Sequence, residues 1–140
     1  MIIVDASIAM KWLNQSEGED DRNVALSLYE KHISQEERIG IPHFLFLEVA
    51  NVLATKPQYS EEDITDGLHF LFRSDFLAYH VVKEDIFNAA TLSKKYHTSV
   101  YDMLYAVIAK RNNCLLITAD TKFAEKVQFP FVKTIKEVEI

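Results

Sequence analysis

The chain opens on Met1-Ile2-Ile3-Val4-Asp5-Ala6-Ser7, an apolar run that ends in a carboxylate, a small residue and a hydroxyl. Apolar on both faces and followed by helical pattern, it reads as a central parallel strand. Its acid then stands at the strand's C-terminal end, where open α/β sheets place their ligand crevice. Outward from there, Arg38–Ile41, Ala78–Val82, Leu115–Thr118 and Phe131–Ile135 read as further strands, the last as an edge. Helical patterning covers Ile8–Leu13 with Ser7 as N-cap, then Arg22–His32 after an acidic loop at Ser16–Asp21. It continues through His43–Thr55, Ser60–Ser74, Glu84–Tyr96, Ser99–Lys110 and Asp120–Val127. His43–Thr55 is apolar enough to predict a buried helix. Alternating strands and helices predict an α/β fold, with a central, mainly parallel sheet of four to five strands flanked by helices.

The 140 residues suffice for one domain with a real core, and 49% hydrophobic with 26% charged residues is the balance of a globular chain. A single cysteine, Cys114, excludes an intrachain disulfide framework. Only Gly18, Gly40 and Gly67 occur, so no glycine-rich phosphate loop can form. The net charge of -6 argues against coating nucleic acid by bulk electrostatics, while leaving room for an enzyme whose cations are local. The start has no basic n-region, and no run approaches the roughly 18 apolar residues of a membrane span. A cytoplasmic protein without a membrane segment is expected.

Four acids carry the chemistry. Asp5 and Asp120 each follow a strand, and each has a plain alternative as a turn or helix-cap residue. Glu48 lies in Phe44-Leu45-Phe46-Leu47-Glu48-Val49-Ala50-Asn51-Val52-Leu53, where a buried carboxylate costs several kcal/mol unless paired or bound to a cation. Its alternative is a narrow polar face shared with Asn51 and Thr55. Asp102, in Ser99-Val100-Tyr101-Asp102, has capping-box spacing and is equally readable as a first-turn acid. Jointly the four say more. Two end strands at the crevice edge, and two lie on helices that begin near it. At about 5 Å separation each close pair repels by roughly 3 kcal/mol at an effective dielectric near 20, which favours a neutralising cation. Oxygen-only ligands select Mg²⁺ or Mn²⁺, and such sites hydrolyse phosphodiesters with metal-activated water.

The segments IIVDASIAMKW, IPHFLFLEVANVL, SVYDMLYAVIAKR and LLITADTKF, in this order, resemble the PIN domain family, most closely the VapC-type toxins of VapBC toxin–antitoxin systems. The resemblance spans nearly the whole chain. It implies metal-binding, catalytic acids at Asp5, Glu48, Asp102 and Asp120, with Ser7, Asn51 and Thr118 as supporting groups. It further implies a Mg²⁺-dependent endoribonuclease that leaves 5′-phosphate and 3′-hydroxyl ends, forms a homodimer and is inhibited by a cognate antitoxin. The Pro-Glu-Glu-type loop common after the first helix of such toxins is replaced by Gln15–Glu19, without the proline. Lys11, Lys94, Lys95, Lys110, Arg111 and Lys122 are candidate RNA phosphate contacts, and His43, His80 and His97 read as structural.

Two other readings compete. A phosphoaspartyl enzyme would want a second Asp where Ser7 stands, or an acidic pair where Ile3-Val4 stand. A catalytically inactive PIN-like RNA- or protein-binding module would keep the fold, although four retained acids weigh against it. Self-association is expected from aromatic residues at 64–79, including Phe70, Phe72, Phe76 and Tyr79, the alternative being that they fill the core.

Overall fold

The computed structural model describes residues 1–14 and 19–138. Five strands form one all-parallel sheet: β1 (Ile2–Val4), β2 (Ile39–Pro42), β3 (Leu77–Tyr79), β4 (Leu115–Thr118) and β5 (Val132–Thr134). Their spatial order is β3-β2-β1-β4-β5, so β1 is central, as its apolar faces require. Ile2, Ile3 and Val4 are all buried. Pairing sets Ile3 beside both Gly40 and Leu116, and Val4 beside Ile117. At Gly40 a Cβ would lie 2.9 Å from the Tyr79 ring and 3.0 Å from Ile3 Cδ1, so any larger residue would push the Tyr79 ring or the Ile3 side chain aside.

Among the described residues the helices are α1 (Ala6–Leu13), α2 (Glu19–Ile33), α3 (Leu45–Thr55), α4 (Glu61–Arg73), α5 (Lys83–Tyr96), α6 (Val100–Arg111) and α7 (Thr121–Val127), followed by a short 3-10 turn. Most boundaries match expectation; four readings change. The N-cap of α1 is Asp5, not Ser7, because the carboxylate accepts from the Ser7 and Ile8 amides, and a negative charge suits a helix N-terminus. Helix α2 begins at Glu19 rather than Arg22, taking in acids read as loop; the rest of that loop, and the Gln15–Gly18 departure, lie outside the described residues. Strand β3 stops at Tyr79 instead of Val82: its partner β2 ends at Pro42, and the Val82 amide turns to Asp85 Oδ2 at 3.0 Å to start α5. Helix α3 is not buried all round. It buries the stripe Leu45, Val49 and Leu53, while Leu47 is 70% exposed.

The buried helix is α6, in which every residue from Met103 to Ala109 is enclosed. It packs on β4, β1, β2 and α5 and carries Asp102 in its first turn, at the sheet's C-terminal edge. The aromatic residues of 64–79 divide. Phe76 stacks on Trp12, and Phe70 meets Tyr29, so both close the monomer's own core. Phe72 is exposed and stacks on Phe46 at 4.3 Å. His32 clips α2 to the sheet: its Nδ1 accepts from the Ile39 amide, so Nε2 carries the proton and donates to the Ser74 carbonyl at 2.7 Å. No helix among the described residues is long and apolar enough to cross a membrane.

Candidate active site

Asp5 leaves β1 and enters α1 in one step, which fixes its carboxylate at the C-terminal edge of the central strand. Oδ1 accepts from the Ser7 amide at 3.1 Å, the Ile8 amide at 3.3 Å and the Ser7 hydroxyl; Oδ2 accepts from the Thr118 hydroxyl. Both hydroxyls face a second duty. Ser7 Oγ accepts the Ala119 amide at 2.9 Å, and Thr118 Oγ1 accepts the Asp120 amide at 3.0 Å. Each hydroxyl proton is therefore directed to Asp5, and the end of β1 is laced to the end of β4. Burial pushes the Asp5 carboxyl up to about 6; the Ser7 and Thr118 hydroxyls and the Ile8 amide pull against it, while Asp102 adds to the rise.

Glu48 projects from the first turn of α3, half-buried. Its Oε1 accepts the Tyr105 hydroxyl at 2.6 Å. Burial raises its pKa, the Tyr105 bond lowers it and Asp102 raises it again. The Tyr105 hydroxyl itself is pushed far above its ordinary value, first by burial and then by Glu48, and so stays a donor. Asn51, one turn along, is exposed and bonds Thr55 through its backbone carbonyl; its side chain has no bond to Glu48.

Asp102 is also half-buried, and its pKa is raised by burial and by Asp120, with the Ser99 hydroxyl and Lys126 opposing. The cap of α6 closes on one side only: the Asp102 amide donates to Ser99 Oγ at 3.0 Å, with no return bond from the carboxylate to the Ser99 amide. Asp120 does cap α7, its Oδ1 accepting the Phe123 amide at 3.0 Å, and it acts electrostatically on Asp102 from that position.

The four acids are therefore coupled through Asp102, which acts on Asp5 and Glu48 and is acted on by Asp120. Asp5, Glu48 and Asp102, all raised first by burial and further by a neighbouring carboxylate, together with Asp120 offer only carboxylate oxygen, the donor type of a hard divalent cation. Among the described residues no group of three or more His, Cys, Asp or Glu side chains stands close enough together, as the side chains are placed, to hold a metal ion.

Sequence reasoning missed two groups at this edge. Tyr105 falls in an unbroken apolar run and looks like core; a hydroxyl at i+3 from Asp102 was the available signal. Lys126 lies at the end of α7, where its ammonium donates to the His97 carbonyl at 2.9 Å and lowers Asp102. Arg111, by contrast, is no rim cation. It grips the buried Asp85 with two bonds of 3.0 and 2.9 Å, nine residues and about 13 Å along α6 from Asp102. His43 and His80 stack on each other at 5.4 Å, exposed, and His97 serves as the left-handed C-cap of α5.

No curated protein matches the sequence. Solved structures do match in fold. A protein of Pyrobaculum aerophilum, PAE2754, superposes with a TM-score of 0.70 at 19% identity, covering 96% of this chain and 83% of its own. A toxin–antitoxin complex from Klebsiella pneumoniae gives 0.71 at 16% identity, with 99% and 100% covered. VapC20 of Mycobacterium tuberculosis, a sarcin–ricin loop cleaving toxin, gives 0.71 at 12% identity, with 94% and 97% covered. At these identities the likeness concerns the fold alone. The PIN domain profile matches residues 2–128, from the central strand to the C-cap of α7 and including all four acids, and the chain belongs to the PIN domain family.

Proposed function

We propose that this chain is a Mg²⁺-dependent endoribonuclease, with Mn²⁺ as substitute, and the toxin of a toxin–antitoxin pair. The observation that carries the reading is the gathering of Asp5, Glu48 and Asp102, whose charges burial and repulsion both disfavour, with Asp120 acting on Asp102 from the N-cap of α7. These four would hold the cation. When bound, it supplies the positive charge that makes water a nucleophile and offsets charge developing on a phosphodiester. Everything else is the work of the chain. Ser7 and Thr118 hold Asp5 in one orientation, with its lone pairs directed by four donors. Tyr105 orients Glu48 without becoming charged. Asp102 makes no return bond to the Ser99 amide, so its carboxylate is not committed to a closed capping box.

Solved relatives in toxin–antitoxin complexes support an antitoxin partner for this chain as well. For the homodimer, the exposed side chains Phe72, Ile86 and Phe87 are the candidate contacts. The decisive experiment is RNA cleavage by purified protein with Mg²⁺, with excess chelator, and with Asp5→Asn. Cleavage should need the metal and the carboxylate. Undiminished cleavage in chelator would overturn the reading.

A further inference from the structure

His43 and His80 follow the ends of two neighbouring strands. Pro42 is paired with Tyr79 in the β2–β3 ladder, and the His43 amide continues that ladder by donating to the Tyr79 carbonyl at 2.8 Å. The register therefore sets His43 directly beside His80. The His80 carbonyl accepts in turn from the Arg111 guanidinium at 3.4 Å, so each backbone is anchored. The two rings lie with centroids 5.4 Å apart and planes 19° from parallel, and both residues are exposed. Among the described residues no hydrogen bond engages a ring nitrogen of either. His32 is the contrast: both of its ring nitrogens are committed, one to the Ile39 amide and one to the Ser74 carbonyl.

Two adjacent imidazoles with uncommitted nitrogens are a chelating pair. An imidazole nitrogen binds a transition ion at about 2.0–2.1 Å, so two nitrogens sharing one ion stand roughly 3–4 Å apart. Neighbouring strands run about 4.8 Å apart, and rotation about the side-chain bonds of two exposed residues covers the difference with the backbone in place. Imidazole suits Zn²⁺, Cu²⁺ and Ni²⁺, whereas Mg²⁺ keeps to oxygen. We infer that His43 and His80 form a two-imidazole site for one divalent transition ion, separate from the four acids, with water filling its remaining positions. An ion there ties the end of β2 to the edge strand β3, a strand of only three residues. The site lies outside the ribonuclease reading and holds or fails independently of it.

Calorimetric titration of the full, metal-stripped chain with NiCl₂ tests it. His43→Ala and His80→Ala should each weaken one Ni²⁺ site by about tenfold or more, because a lone imidazole has lost its chelating partner. Both residues are exposed, so the variants should melt with the parent in the absence of metal. His69→Ala removes an exposed histidine outside the pair and should leave Ni²⁺ affinity within about twofold. Ni²⁺ should also raise the Tm of the parent more than that of either pair variant, since only the parent binds it at this site. MgCl₂ in place of NiCl₂ should not distinguish parent from variants. Ni²⁺ taken up by the acids persists in both pair variants and is counted apart in this way. The site is overturned if His43→Ala and His80→Ala bind Ni²⁺ as tightly as the parent. It is equally overturned if only one of the two matters, or if His69→Ala weakens binding as much as they do.

Discussion

The Tyr105 hydroxyl donates a 2.6 Å hydrogen bond to Oε1 of Glu48, joining the enclosed helix α6 to the half-buried acid of α3. A buried phenol next to a carboxylate cannot ionise, so the proton stays on the tyrosine and the acid is held by a donor that does not titrate. Tyr105→Phe keeps the ring and removes only that donor. Stability should fall by about 1 kcal/mol, since water can reach Glu48 and replace part of the bond. Mg²⁺ affinity should fall by about tenfold or more, as when other groups that orient metal ligands are removed. A Mg²⁺ titration followed by thermal melting reads both. Equal Mg²⁺ response in parent and variant would show that Glu48 needs no such support.

The metal-free protein should be weakened by its own acids as pH rises. Asp5 in the folded state titrates near 6, above the value of an unfolded aspartate. The folded state therefore keeps a proton that the unfolded chain has released. That contribution is complete below about pH 4 and lost through pH 6, and Glu48 and Asp102 shift in the same direction. Asp5→Asn removes the titration and should gain on its parent by up to about 3 kcal/mol between pH 4 and pH 7, while losing cleavage. Denaturant melts at the two pH values, with metal chelated, measure the difference. Parallel pH profiles would contradict the assigned direction.

Asp102 is coupled to all three other acids, so its charge should govern the response to metal. Mg²⁺ at a hundred times its dissociation constant should stabilise the parent by about 2.7 kcal/mol. Asp102→Asn should gain clearly less at the same concentration. The helix itself should survive, because the cap of α6 uses the Asp102 amide and the Ser99 hydroxyl. Matching melting shifts would make Asp102 a helix residue with no part in metal binding.

Arg111 offers a contrast away from the crevice. The Asp85 side chain is 2% exposed and Arg111 is its ion partner, itself partly in solvent. Arg111→Ala should cost about 2 kcal/mol of stability by leaving a buried carboxylate short of a cation, less than for a fully buried pair. Binding of single-stranded RNA by the folded variant should keep the parent's salt slope, a result that a phosphate contact at Arg111 would contradict.

What the sequence made legible follows from what local pattern encodes. The apolar run at Ile2–Val4 and its terminal acid announce a central strand, because nothing else buries both faces over so few residues. Glu48 shows through because a charge inside an apolar segment is costly. The capping alternatives for Asp5 and Asp120 turn out to be compatible with a place at the crevice: the same carboxylates that cap α1 and α7 stand at the sheet edge. Tyr105 and Lys126 were not legible, since their meaning depends on partners 57 and 29 residues away. Exposure of Leu47 and Tyr101 was hidden for the same reason, because an apolar residue in an apolar segment gives no sign of facing water.

Asp5 and Thr118 are bonded across 113 residues. The first and last of the four acids are thus brought together only when β4 joins β1. A ribosome making this chain exposes Asp5 early and Asp120 late, and in between the growing chain has no complete crevice. A chain stopped after Asn113 should neither respond to Mg²⁺ nor cut RNA. The order of the strands thereby keeps the four-acid crevice incomplete until β4 and the start of α7 have been made.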